Sequence, residues 1–292
     1  MLVGAAQIEP RLGEVERNLD RCLAQLELAA AQGCALLVLP ECALTGYACD
    51  TPEEAFHIAL DVPGEEVAAL EEACARFGVH AVCGLLERDG DRIRNCAVLV
   101  GPDGVAGRYW KTHLPTLGAD RFATPGDGPL EPIDTPLGRI GLEICYDLRF
   151  PEATRILALR GAEIVAHPTN WPVQVRALAD GVARARALEN RVFLVTANRV
   201  GREGGIAFCG WSQIVDPAGA RLAEADETSE TLLVAEIDPA EARTKALVPE
   251  PGAYEMHLFD HRRPDLYGPL AVEPAVVPAV DLRTEEDPWQ TS

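Results

Sequence analysis

No apolar stretch in this 292-residue chain reaches the roughly 18 consecutive residues that span a bilayer, so no transmembrane helix is expected. The opening run Met1-Leu2-Val3-Gly4-Ala5-Ala6-Gln7 lacks a basic n-region and reads as a strand, which makes the cytoplasm the expected compartment. Basic residues are scarce: 26 Lys and Arg face 46 Asp and Glu, for a net charge of −20. A surface of that sign repels phosphate backbones and anionic headgroups, so neither nucleic acid nor a membrane is an expected partner. It says little about a small substrate, because surface carboxylates far from a pocket are screened by salt. Zinc spacing is missing as well. No Cys-x-x-Cys or Cys/His cluster occurs, and the pair His257 and His261 lies in a Pro-rich region without a thiol partner, so no metal is expected.

Cysteine itself is plentiful, at nine residues, but the number is odd and most sit in apolar runs, as with Cys34, Cys83, Cys96 and Cys209. That pattern suits reduced, buried thiols. The chain is 48% hydrophobic, enough to fill one large α/β core or two small ones.

Strand-like and helical runs alternate: 2–8, a helix at 15–31, 35–39, and a helix at 65–77. Three short β-like runs follow at 79–86, 94–101 and 104–109, separated by Asp-Gly turns that predict an antiparallel meander. The alternation resumes with 138–144, a helix at 151–160, 163–166, a helix at 174–190 and 192–197, and a last β group covers 206–237. The expected fold is therefore α/β with mixed sheets. No linker or repeat is legible before about Pro249, so one domain over 1–270 is preferred, followed by an irregular tail at 271–292. That tail, including Val276-Val277-Pro278-Ala279-Val280, is a candidate for packing on a partner subunit.

Three polar residues each follow an apolar run where a strand should end: Glu41 after Leu36-Leu37-Val38-Leu39-Pro40, Lys111 after Arg108-Tyr109-Trp110, and Cys145 after Ile140-Gly141-Leu142-Glu143-Ile144. Open α/β sheets place their sites at such ends. At Cys145 a strand stops and Arg149-Phe150-Pro151-Glu152 begins a helix, with Pro suited to its first turn. A tight strand-to-helix turn exposes a nucleophile and aims the next backbone N–H, that of Tyr146, at a developing oxyanion. A thiol attacking an amide also needs a base and a positive charge, for which Glu41 and Lys111 are candidates that spacing alone does not assign.

Together these segments resemble the nitrilase superfamily of carbon–nitrogen hydrolases. The resemblance rests on Leu39-Pro40-Glu41 with Thr45-Gly46-Tyr47, on Tyr109-Trp110-Lys111-Thr112-His113-Leu114, and on Gly141-Leu142-Glu143-Ile144-Cys145-Tyr146-Asp147-Leu148-Arg149-Phe150-Pro151-Glu152. It continues through His167-Pro168-Thr169-Asn170-Trp171, Ala197-Asn198-Arg199 and Gly210-Trp211-Ser212-Gln213, and spans roughly residues 2 to 270. The resemblance implies a four-layer α-β-β-α sandwich that commonly forms homodimers or higher homo-oligomers. It implies Glu41 as general base, Lys111 as oxyanion stabiliser and Cys145 as covalent nucleophile, with the Tyr146 N–H assisting and no cofactor. Tyr47, Asn170 and Trp171 stand at substrate-binding positions. Cys145-Tyr146-Asp147 looks like the amidase and carbamoyl-amide branches rather than true nitrilases, so the expected substrate is a small-molecule amide or N-carbamoyl compound.

One departure from the family is visible. Many relatives carry a second glutamate a little over ten residues beyond the lysine, and here the nearest carboxylate is Asp120. Either Asp120 takes that place with a shorter reach, or it is a loop residue capping a turn. Glu143 shares the strand face of the thiol and is expected in a structural salt bridge, with Asp147, Arg149 and Glu152 bracing the turn. Two rival readings remain: a papain-like arrangement of Cys145, His167 and Asn170, and a non-catalytic binding protein on the same fold.

Overall fold

The computed structural model describes residues 1–272, and the chain falls into two compact units, Met1–Lys245 and Ala246–Ser292. The first unit holds two six-stranded sheets. Its strands are β1 (Leu2–Gln7), β2 (Cys34–Val38), β3 (His80–Asp89), β4 (Arg92–Gly101), β5 (Gly104–Trp110), β6 (Ile133–Thr135), β7 (Gly138–Leu142) and β8 (Ile164–Pro168). Next come β9 (Phe193–Ala197), the two-residue ribbon β10 (Arg202–Glu203) and β11 (Ile206–Ala207), then β12 (Gln213–Val215), β13 (Arg221–Glu224) and β14 (Thr231–Glu236). The helices are α1 (Val15–Ala31), α2 (Pro52–Ile58), α3 (Glu65–Phe77), α4 (Pro151–Leu159) and α5 (Ala183–Asn190).

One sheet has the order β14-β1-β2-β3-β4-β5 and the other β13-β12-β9-β8-β7-β6. Both are mixed, with parallel pairs β1–β2, β2–β3, β7–β8 and β8–β9 and antiparallel flanks. Reading the second sheet from β6 gives the same succession of parallel and antiparallel pairs as reading the first from β14. No repeat is legible in the sequence, yet the two halves repeat one strand order, because a shared topology needs a shared pattern of burial and not shared residues.

The sheets pack on each other, with β1 against β9 and both β2 and β3 against β8. Strands β8 and β9 are buried along their whole length and β2 at every residue but Ala35, as suits parallel strands covered on both faces. Outside the first sheet, α1 turns Cys22, Leu26 and Ala29 inward at helical spacing, and α3 does the same with Val67, Leu70 and Cys74. Outside the second lie α4 and α5, which touch each other, with α5 packed on β9 and β12. This is the four-layer α-β-β-α sandwich with mixed sheets that the motifs implied.

Some elements differ from the sequence expectation. The helix expected at 174–190 is broken into a 3-10 turn at Val173–Val175, a π turn at Leu178–Val182 and then α5. The Gln213 side-chain amide donates to Ala179 O at 2.6 Å and Arg221 to Asp180 O at 2.8 Å, drawing carbonyls out of an α-helical ladder. The short α2 and β6 were not foreseen. In α2 the Thr51 hydroxyl accepts from Glu54 N at 3.1 Å, a cap placed within a segment that reads as loop. In the second unit, residues 246–257 form a hairpin of Ala246–Glu250 with Tyr254–His257, beyond the last β group expected at 206–237. Most of the tail at 271–292, including residues 276–280, lies outside the described residues.

Glycine is required where β3 passes beneath the turn that carries Glu41. A Cβ on Gly84 would stand 2.5 Å from Pro40 O and Cys42 N and 2.6 Å from Glu41 Cα. We expect Gly84→Ala to cost about 1–3 kcal/mol of stability by overpacking, read as a lower midpoint in thermal unfolding. An unchanged midpoint would contradict this packing.

Candidate functional site

Glu41 follows β2, Lys111 follows β5, Cys145 follows β7, and Asn170 and Trp171 follow β8, so strand ends of both sheets supply the site. The side chains of Glu41 and Lys111 are fully buried. Lys111 Nζ donates to Glu41 Oε1 at 2.7 Å and to Asp120 Oδ2 at 2.6 Å. Burial alone would lower the lysine's proton affinity, but Asp120 and Glu41 outweigh it and raise it well above the usual value. A buried ammonium is tolerable only with such partners. Two of its three N–H bonds are committed, leaving one.

Asp120 thus sits on the 3-10 turn Gly118–Arg121 with its carboxylate buried against the lysine rather than capping a turn. Its Oδ2 also accepts from the Tyr47 hydroxyl at 2.8 Å, and its Oδ1 from Asn95 Nδ2 at 2.8 Å. Tyr47 is itself buried, with Lys111 Nζ 6.0 Å from its ring centroid. The backbone N–H groups of Tyr47 and Ala48 both donate to Glu203 Oε2 at 2.8 Å, and Arg199 pairs with that oxygen at 3.0 Å. Neither Glu203 nor Asn95 was singled out in the sequence. Asn95 Nδ2 donates to Glu41 Oε1 at 2.7 Å as well. The readable signal for it is a polar residue opening the apolar run Cys96-Ala97-Val98-Leu99-Val100.

The two carboxylates differ in one respect. Every oxygen of Asp120 has a donor, whereas Glu41 Oε2 is buried without a hydrogen-bond partner. Burial raises the Glu41 proton affinity, Lys111 opposes it, and Asp120 raises it further.

Cys145 stands at the start of a 3-10 turn, Cys145–Arg149, with φ of 47°. A left-handed backbone is uncommon outside glycine and marks a strained turn. Tyr146 occupies the second position of that turn, where an amide has no intrahelical acceptor. Burial and the Glu41 charge raise the thiol's proton affinity, while Lys111, the Thr169 hydroxyl and the Asn170 backbone N–H lower it. The resting group is a thiol that needs a base.

Asp147 joins the lysine segment to the thiol segment. Its Oδ1 accepts from His113 N at 3.0 Å and pairs with His113 Nδ1 at 2.7 Å, while its Oδ2 accepts from Tyr109 O–H at 2.8 Å and Ile144 N at 3.0 Å. The His113 ring stacks on Phe150 at 3.8 Å, and Tyr146 meets Phe150 edge-on at 5.2 Å. Asn170 is buried with both side-chain polar atoms unpartnered, and Trp171 is buried with its indole Nε1 unpartnered and its ring 5.3 Å from His167.

His167 is turned toward the backbone of Cys145. Its Nε2 lies 3.2 Å from the Cys145 carbonyl oxygen, and burial holds its proton affinity down to about 4, so it is neutral at pH 7 and donates there. That geometry disfavours the papain-like reading. Glu143 also departs from expectation: among the described residues it makes no ion pair, and its Oε2 accepts from Thr154 Oγ1 at 3.1 Å while Oε1 has no partner. Its side chain meets α4, which presents a hydroxyl instead of a cation.

Residues 2–246 match the family model described as carbon-nitrogen hydrolase. The chain is 41% identical over 248 residues to a nitrilase from Pyrococcus abyssi, covering 84% of this chain and 92% of that protein. Its structure resembles that of a carbon-nitrogen hydrolase from Helicobacter pylori G27 with TM-score 0.81 and 30% identity, covering 92% of this chain and 98% of the other. It also resembles a mutant of the amidase from Nesterenkonia sp. AN1 that shows covalent addition of the acetamide moiety of fluoroacetamide at the active site cysteine. There the TM-score is 0.74 at 28% identity, covering 83% of this chain and 92% of that one.

Glu143 generates a pH prediction. Burial and then the Asp147 charge push its proton affinity up to about 8, from an ordinary 4.5. The folded protein therefore keeps a proton that the unfolded chain releases, a contribution complete below pH 4.5 and lost as pH rises to about 8. We expect Glu143→Gln to flatten the fall in thermal midpoint across that window. Parallel curves for variant and wild type would contradict the assignment.

Proposed function

The chain belongs to the carbon–nitrogen hydrolase family, and on that premise we propose that it hydrolyses the amide bond of a small molecule through a thioester on Cys145. The observation that carries this reading is the division of labour between the carboxylates. Glu41 has one oxygen tied to Lys111 and Asn95 and the other unpartnered, beside a thiol on a strained turn.

The Cys145 thiol gives its proton to Glu41 as sulfur attacks the amide carbon. The oxyanion that forms takes the remaining Lys111 N–H and the Tyr146 N–H. Glu41 then returns the proton to the departing nitrogen, the C–N bond breaks, and ammonia or an amine leaves. Water, deprotonated by Glu41, cleaves the thioester to a carboxylic acid and restores the thiol. Asp120 stays a counter-ion, since its oxygens are fully engaged. A nucleophile only 7% exposed suits a small substrate rather than a polypeptide. Tyr47, Asn170 and Trp171 are the proposed contacts around it, with the Asn170 amide free to donate and accept.

A reducing compartment such as the cytoplasm suits an enzyme whose nine cysteines are all free. Among the described residues no helix is long and apolar enough to cross a membrane. A homodimer or higher homo-oligomer is proposed from the exposed Ile156 and Leu159 of α4 and Leu188 of α5.

Ammonia release should be screened across short ω-amides, aliphatic amides and N-carbamoyl amines. We expect turnover with at least one class, loss of at least about 1,000-fold in Cys145→Ala, and slowing of about 100-fold or more in Glu41→Gln, with folding intact. His167→Ala should weaken activity without abolishing it. Full activity in either of the first two variants contradicts the roles assigned.

A further inference from the structure

Asn95 lies within β4 and is buried beneath the site, and its side-chain groups and backbone oxygen each meet a different part of it. Its two side-chain N–H bonds go to two different carboxylates, Glu41 at 2.7 Å and Asp120 at 2.8 Å. Its Oδ1 lies 3.9 Å from the Cys42 sulfur, one residue beyond Glu41. Its backbone oxygen accepts from Lys111 N at 2.8 Å. No other residue described here is bonded to both carboxylates and to the lysine backbone.

Glu41 is faced by Lys111 from the end of β5, by Asp120 from its 3-10 turn, by Cys42 and Tyr47 from its own segment, and by Cys145 from the end of β7. Lys111 is the sole cation among them. Two carboxylates around one ammonium leave a negative charge uncompensated, and such a pair tends to take up a proton. A protonated Glu41 cannot accept the thiol's proton. Hydrogen bonds given to a carboxylate favour its charged form, and Asn95 gives one to each partner.

We propose that Asn95 is a positioning residue that keeps Glu41 ionised and orients it, occupying Oε1 together with Lys111 so that Oε2 is the oxygen left to take the proton. This rests on Glu41 acting as the base. It adds a division of donors: Lys111 keeps a hydrogen for substrate because Asn95 shares the work of holding both carboxylates.

The test follows the pH dependence of two rates, kcat/KM for the best amide and alkylation of Cys145 by chloroacetamide, the latter read by intact mass. In alkylation the S–C bond forms, chloride leaves and the thiol proton passes to Glu41, so no turnover is needed. Asn95→Leu and Asn95→Asp remove or reverse the donors with little change in size. We expect the acid limb of both profiles to move up by about one to two pH units, the equivalent of one hydrogen bond to a charged group, with kcat reduced about 10–100-fold and KM little changed. Variants that fold and keep the limb where the wild type has it, or that simply lose their fold, give Asn95 a purely structural role and overturn the proposal. Glu41→Gln separates the two readings: it should erase the acid limb of alkylation, and a limb that persists there defeats the base assignment itself.

Discussion

Lys111 is an ammonium without access to water, and the arrangement of the site follows from what it takes to keep it there. A buried cation needs charged partners with well-formed hydrogen bonds. Glu41 and Asp120 supply them at 2.7 and 2.6 Å. The pair then needs donors of its own, which Asn95 and Tyr47 provide. Each added partner answers a demand made by the last, and the process stops at Glu41 Oε2, which has none. Glu41 Oε2 and the third Lys111 N–H are what this network leaves open, and the proposed chemistry falls to them.

The lysine and the thiol come from different sheets, so their relation depends on what crosses between them. Asp147 crosses, taking donors from Tyr109 and His113 on one side and from Ile144 on the other. Tyr47 is held from further off, through Glu203 and Arg199 after β9, so β9 and the ribbon beyond it also bear on the Asp120 contact. The repeated strand order in the two sheets brings these ends together, since each half delivers its polar residues where its parallel strands stop.

Much of this was legible. The helices at Val15–Ala31 and Glu65–Phe77 show the 3.6-residue apolar period, and the meander β3-β4-β5 is punctuated by Asp-Gly turns. Glu41, Lys111 and Cys145 stood out because polar residues at the ends of apolar runs are anomalies. Asn95 and Glu203 did not, because each lies in a strand and its importance comes from partners distant in sequence. Glu143 was misread for the same reason: strand alternation gives its face, but only tertiary packing decides that a threonine, not a cation, meets it. The break before α5 depends on Gln213 and Arg221 reaching in from another strand, which no local pattern records.

The central claim is that an amide acylates Cys145. Rapid acid quench of the enzyme with a turned-over amide, followed by intact mass and peptide mapping, tests it directly. The account predicts a transient adduct equal to the substrate's acyl group, located on Cys145 and absent from Cys145→Ala. Ammonia release with no adduct at any time, or with the acyl group on another residue, would contradict it.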